Sequence, residues 1–255
     1  MFKIIDEETI QMYGDWYDLN NICAIQYNEL DRYYSIGVLF DNGEYKHIAT
    51  SYKFEGKVIT TEEQRKQNLL KDMEDVRRLL VKSNRLENAF ANLNQTIVNM
   101  DKVKNMSIGK NANNEYTLEV KFDEINDRNC SIVAFSTKNK DKVRDLIQEY
   151  TEQYNKYIEI EFNRLYGNLN ELYKRTNDKQ GRYPKDICVA WFVETASEIL
   201  SNNKFREKLT AYHISNIANK ASNLKELDIA NNKQNKQLDL IIAELDHMSI
   251  KVNMV

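Results

Sequence analysis

Residues 61–104 read TEEQRKQNLLKDMEDVRRLLVKSNRLENAFANLNQTIVNMDKVK, and the reading of this stretch decides the fold. From Val76, apolar residues recur at Leu79, Leu86, Phe90, Leu93, Ile97 and Met100, with Ser83 filling one slot. The steps of 3, 4, 3, 4, 3, 4 and 3 are those of a coiled-coil seam. Thr61 followed by Gln64 forms a capping box, and Lys102 and Lys104 in the last turn suit the helix dipole. The stretch therefore predicts one amphipathic helix roughly 65 Å long.

A second periodic stretch lies downstream. Val143, Ile147, Tyr150, Tyr154, Ile158, Phe162, Leu165, Leu169 and Leu172 predict a helix from about Asp141 to Arg175, with an extra four-residue step near Tyr154. Between the two helices, Tyr116–Phe122 alternates apolar and polar residues, Cys130–Thr137 forms a return strand, and the connection 123–129 is polar. The simplest arrangement is an antiparallel, coiled-coil-like helical hairpin with a β-hairpin at its tip.

Residues 1–60 read as an antiparallel β module. Phe2–Ile5, Ile22–Tyr27, Tyr33–Phe40 and Glu44–Phe54 are the strands; Asp41-Asn42-Gly43 and Glu55-Gly56-Lys57 are the turns. Glu7–Asn20 fits either a short helix or a covering loop. After the linker 174–185, Asp186–Leu200 is apolar nearly all round and should be the buried helix of a C-terminal bundle. Phe205–Ala221 follows, and Ser222 opens a last helix interrupted at Asn231-Asn232. The expected fold class is α+β in three segments: a β module (1–60), helix/β-hairpin/helix (61–178) and a helical module (179–255). No repeat is visible at solenoid periods.

Composition narrows the function. With 36 basic and 39 acidic residues, the chain has no global pull toward nucleic acid or anionic membrane. Its seven glycines are isolated, which excludes P-loop and dinucleotide-binding loops. The three histidines lie in different segments, and Cys23, Cys130 and Cys188 form no CxxC pair, so no metal or cofactor is expected. The cysteines read as small buried hydrophobes of a reducing compartment. The N-terminus lacks a signal-peptide layout and no apolar run spans a bilayer, so the expected setting is cytoplasmic, with no membrane partner. Abundant Asn, Lys, Ile and Tyr fit an AT-rich coding sequence, such as that of a low-GC bacterium or of a phage or mobile element living in one.

Local charge supplies the candidate sites. In the antiparallel arrangement Lys102, Lys104 and Lys110 converge with Lys138, Lys140, Lys142 and Arg144. Lys174, Arg175, Lys179, Arg182 and Lys185, with Tyr183, gather at the opposite end. Basic residues interleaved with aromatics hold phosphates and stack bases. Tyr150, Tyr154 and Tyr157 share one side of the second helix, as either interface or seam residues. One further pattern, Arg206 and His213 separated by six residues, resembles the Arg-x(4–6)-His motif of HEPN-type ribonucleases. That family is all-helical and usually dimeric, and the resemblance implies action of both side chains on a scissile phosphate. Here Glu207 follows the arginine, placing negative charge beside an anionic substrate.

The resulting expectation is a non-enzymatic binding protein that engages a large protein or ribonucleoprotein, in the manner of a phage accessory protein inhibiting a host defence complex. The alternatives are an RNA- or DNA-binding module using the basic ends, and a HEPN-like ribonuclease. Pairing of the helices within one chain or in a homodimer is left open.

Overall fold

A computed structural model describes residues 2–5, 8–52, 61–81, 89–122, 130–178, 181–226 and 230–252. The fold is mixed α+β. The chain packs as two units, Met1–Tyr157 and Ile158–Val255, where the sequence drew three segments.

Unit 1 opens with strands β1 (Phe2–Ile4), β2 (Thr9–Met12) and β3 (Asp15–Asp18), so the stretch expected as a short helix or covering loop carries two strands instead. A 3-10 turn (Leu19–Asn21) leads into the meander β4 (Ile22–Glu29), β5 (Tyr33–Phe40) and β6 (Tyr45–Tyr52), then helix α1 (Glu62–Val81). The same order follows again: β7 (Phe90–Leu93), β8 (Thr96–Asn99), a 3-10 turn (Met100–Lys102), β9 (Val103–Lys110), β10 (Tyr116–Phe122), β11 (Ser131–Thr137) and helix α2 (Lys140–Thr176). Among the described residues the strands form three antiparallel sheets, ordered β1-β2-β3, β11-β10-β9 and β6-β5-β4-β8-β7.

The repetition is a structural duplication. A shift of 81 residues maps every β2–β3 pair onto a β7–β8 pair, Thr9↔Asp18 onto Phe90↔Asn99 and Met12↔Asp15 onto Leu93↔Thr96. The first turn residue has positive φ in both copies, 53° at Tyr13 and 60° at Asn94. Leu19 donates its N–H to Glu8 at 2.7 Å, and Met100 donates to Ala89 at 2.8 Å. Asp18 and Asn99 cap the two 3-10 turns through their side-chain oxygens. Irregularities recur too: β4–β5 skips Cys23 as β9–β10 skips Lys104, and the shift at Ile36/Gly37 returns at Leu118/Glu119. Yet residues 9–29 and 90–110, aligned without a gap, share no identical residue. What persists is physical class: apolar at Met12/Leu93, Leu19/Met100 and Ile22/Val103, and a short capping side chain at Asp18/Asn99.

The single helix expected over 61–104 is therefore not formed. Its first part is α1, whose capping box closes both ways: Gln64 N–H donates to Thr61 Oγ1 at 3.2 Å and Thr61 N–H to Gln64 Oε1 at 2.8 Å. Ser83 and Leu86 of the expected seam lie outside the described residues. Phe90, Leu93, Ile97 and Met100 belong to strands and a 3-10 turn. The physical reason is burial on every side. All four residues of β8 are buried, and β8 pairs with β4 through Ala24↔Val98, Ile25↔Ile97 and Gln26↔Thr96. A helix would have turned Thr96 and Asn99 away from their present partners; as placed, Thr96 Oγ1 donates to the Ala134 carbonyl and Asn99 Nδ2 to the Ile22 carbonyl. Among the described residues α1 spans Glu62–Val81 and strands follow from Phe90, so no helical hairpin with a coiled-coil seam is formed there.

The core of unit 1 joins α1, through Leu69, Met73, Val76 and Leu80, to Ile25, Tyr27, Ile36, Val38 and Ile97 of the five-stranded sheet and to Ile10 and Met12 of β2. Gln26, alternating with these, donates to the Val133 carbonyl of β11 at 2.6 Å. In unit 2 the later part of α2 packs with α3 (Lys185–Ser201), α4 (Asn203–Arg206), α5 (Ala211–Glu226) and α6 (Asn232–Val252) around residues such as Phe162, Leu169, Phe192, Ile217 and Leu245. Ser222 lies inside α5, and Asn231, expected to interrupt a helix, instead caps α6, accepting from Gln234 N–H at 2.9 Å and donating its own N–H to Gln234 Oε1. Asparagine competes well for such caps because its oxygen satisfies orphan amides.

In a helix, Asn94→Ala would stabilise; at φ 60° it should cost about 1 kcal/mol, with Asn94→Gly near neutral, as read from urea unfolding. On α1, Arg77 donates two hydrogen bonds to Glu74, at 2.5 and 2.6 Å, which hold the Glu74 carboxyl down at about 2. A depressed folded value gives stability that is present above the unfolded value of 4.5 and lost as pH falls through about 2. Unfolding curves of the wild type and Glu74→Gln should therefore differ near neutrality and converge toward about pH 2.

Candidate functional site

The first basic group does not gather as a whole. Lys102 pairs with Asp41 at 3.3 Å, and Lys104 lies near the opposite end of β9 from Lys110, roughly 20 Å away along the strand. The register brings part of the group together, because Tyr116 stands opposite both Lys110 and Thr137. The ammonium of Lys110 lies 4.9 Å from the Tyr116 ring centroid and that of Lys140 lies 5.9 Å from it. Lys110 also donates to Asn114 Oδ1 at 3.0 Å. Lys138 and Lys142 flank Lys140, while Arg144 is bound to Asp141 at 3.1 Å. Asn139 Oδ1 caps α2 at Asp141 N–H, so these lysines sit where the helix dipole is already positive.

The second group belongs to unit 2 and is largely paired. Lys174 and Arg175 face Glu171, and Arg182 binds Asp178 at 3.0 Å. Lys185 begins α3, and Lys179 lies outside the described residues. What this group builds is aromatic as much as basic. The Arg175 guanidinium lies 4.7 Å from the centroid of the exposed Tyr183 ring. Beside it is a cleft of about 280 Å³ lined by Asn168, Glu171, Leu172, Arg175, Trp191 and Thr195. Trp191 is 51% exposed, and Ile187, one turn earlier, is exposed too. The sequence reading buried this helix all round. The structure buries Cys188, Val189, Phe192, Val193 and Ala196 and leaves the Ile187–Trp191 stripe outside. The four-residue spacing of that pair was the available signal.

Of the three tyrosines expected on one side of α2, two pack within the chain and Tyr154 is half-buried. Tyr150 and Tyr157 are buried; Tyr157 donates to Asp101 Oδ1 at 2.7 Å, and Tyr150 stacks on Tyr154 at 5.8 Å. Burial pushes the Tyr150 hydroxyl well above its ordinary range. Arg206 and His213 fall on different helices, α4 and α5. Arg206 binds Glu244 at 2.9 Å. His213 Nδ1 accepts the Thr210 N–H at 3.2 Å, and its ring meets Tyr166 and Phe162 edge-on at 4.5 and 5.2 Å.

One serine–histidine contact was not foreseen: Ser35 Oγ lies 3.0 Å from His47 Nδ1. Ser35 is fully buried, so its oxygen is out of reach of a substrate, and the contact fastens β5 to β6. The three cysteines are free and buried. Among the described residues no cluster of three or more His, Cys, Asp or Glu is placed to hold a metal, and no helix is long and apolar enough to cross a membrane.

No protein-family model, no curated protein and no solved structure matches this chain.

Proposed function

We propose that the protein binds another macromolecule, and that the partner is a protein seated on the Arg175–Tyr183–Trp191 surface of unit 2. The observation that carries this reading is a half-exposed tryptophan beside an arginine stacked on tyrosine, at a cleft lined by Leu172 and Trp191 among polar residues. Trp, Tyr and Arg are the residues in which interface energy concentrates, because each buries a large surface and keeps a polar handle. Arg175 and Arg182 are held by Glu171 and Asp178, so burial of the aromatic surface is the contribution this reading assigns to docking. An accessory protein that blocks a host complex is one form such binding would take.

Affinity capture from a low-GC bacterial lysate, with and without nuclease, tests this. The expected result is a protein retained after nuclease treatment, with Trp191→Ala weakening retention by about 2 kcal/mol or more, some thirtyfold. Retention that depends on nucleic acid, or that ignores Trp191, would overturn the reading, as would turnover of a substrate in a metal and nucleotide screen.

A second reading is favoured by the Lys110–Tyr116–Lys140 cluster, whose cations and aromatic ring suit a phosphate backbone and a stacked base. It expects single-stranded RNA or DNA to bind at about 50 mM salt with a log–log salt slope. Exchange of Lys138, Lys140 and Lys142 for Glu should abolish that binding; absence of any binding at low salt rejects this reading.

A further inference from the structure

Among the described residues the duplication makes one strand pairing in one copy and not in the other. Strand β4 is bonded on one side to β5 and on the other to β8. Its counterpart β9 is bonded to β10, and among the described residues no backbone hydrogen bond joins its other side to a strand. The counterpart of β8 is β3, which is bonded to β2 with its other edge likewise without a strand partner. The fold thus contains both halves of a pairing that it makes once and leaves unmade once.

The made pairing gives the register of the unmade one. Shifting Ala24↔Val98, Ile25↔Ile97 and Gln26↔Thr96 by 81 residues yields Asn105↔Tyr17, Met106↔Trp16 and Ser107↔Asp15. One step further sets Lys104 opposite Asp18. In this register Lys104 and Asp18 are the one opposed charge pair; Asp15, ion-paired with Lys46 at 3.7 Å, faces Ser107, and Lys110 lies beyond the end of β3. Opposite charges facing each other across an antiparallel pair are stabilising. The central pair stands out most: Ile25 and Ile97 are fully buried where the pairing exists, while Trp16 is 67% exposed where it does not. A thioether opposite an indole is a favourable contact.

From this we propose that a second copy of the chain docks here, its β3 against β9 of the first and its β9 against β3 of the first. Each copy carries both edges, so reciprocal pairing of two copies makes a closed twofold dimer, whereas pairing with a third copy would extend an open chain. The joined sheet, β11-β10-β9-β3-β2-β1, would extend across the two copies as β6-β5-β4-β8-β7 does within one. This inference stands apart from the proposed partner surface of unit 2.

Sedimentation of the full chain over about 1–100 μM should show a concentration-dependent dimer, and Trp16→Glu should weaken it at least tenfold with unchanged circular dichroism. A double variant, Trp16→Cys with Met106→Cys, should oxidise to a covalent dimer joining positions 16 and 106 of different copies, since directly opposed Cβ atoms lie about 4.5–5.5 Å apart. If Trp16→Glu does not fold, hydrogen exchange of the wild type decides: protection of the 105–107 amides should rise with protein concentration. A monomer throughout, a dimer indifferent to Trp16, a crosslink formed only within one chain, or exchange independent of concentration would each overturn the proposal.

Discussion

The hydrogen-bonded seam between β4 and β8 holds unit 1 together. It joins the meander of the first repeat to the hairpin of the second, so neither repeat completes the five-stranded sheet alone. Ile25 and Ile97 meet across it with no exposure, and α1 packs onto the face they share with Tyr27, Ile36 and Val38. At roughly 1.5–3 kcal/mol for each large apolar side chain withdrawn from water, this shared face dominates the packing of the unit. The polar residues between them are used as well. Gln26 and Thr96 donate to β11 carbonyls, which ties the second meander to the same seam.

The two repeats keep one backbone and have diverged in charge. Tyr34 and Tyr116 hold the same register position, opposite Glu29 and Lys110 respectively. In the first repeat the hydroxyl of Tyr34 donates to Glu62 Oε1 at 2.8 Å, and that bond pushes its pKa up to about 12. Lys66 lies over the Tyr34 ring and is tied to Glu29. In the second repeat, Lys110 and Lys140 flank the Tyr116 ring instead. One geometry has thus produced an acidic setting and a basic one, which is what separate roles for the two ends would require. The backbone tolerates such divergence because charged side chains at strand ends face solvent, while the apolar positions that fix the register stay apolar.

Several features were legible from local chemistry because their causes are local. The Thr61/Gln64 capping box and the turn at Asn42-Gly43, where Gly43 has φ 81°, need only residues a few positions apart. The strands Tyr116–Phe122 and Ser131–Thr137 alternate in sequence and pair directly. Residues 90–104 were misread for a definite reason. A three–four spacing of apolar residues signals a helix only when the residues between them face water, and here Ala91, Thr96, Val98 and Asn99 are buried too. The duplication was hidden because register depends on apolar class and turn conformation, both of which survive the loss of every identity between 9–29 and 90–110.

By itself, then, the sequence determined the α+β class, the Thr61/Gln64 cap, the turn at Asn42-Gly43, the pairing of β10 with β11, and the presence of two groups of basic residues. Only tertiary structure decided that 90–99 would be strands, because the edge of β4 offered β8 hydrogen bonds and two-sided burial that no local preference records. The same long-range pairing separated Lys102 and Lys104 from Lys110, brought Lys140 to Tyr116, and left Trp16 exposed. In unit 2, helix packing turned Trp191 outward. Which face of an apolar helix meets solvent is set by what its neighbours cover, and that information lies outside the helix.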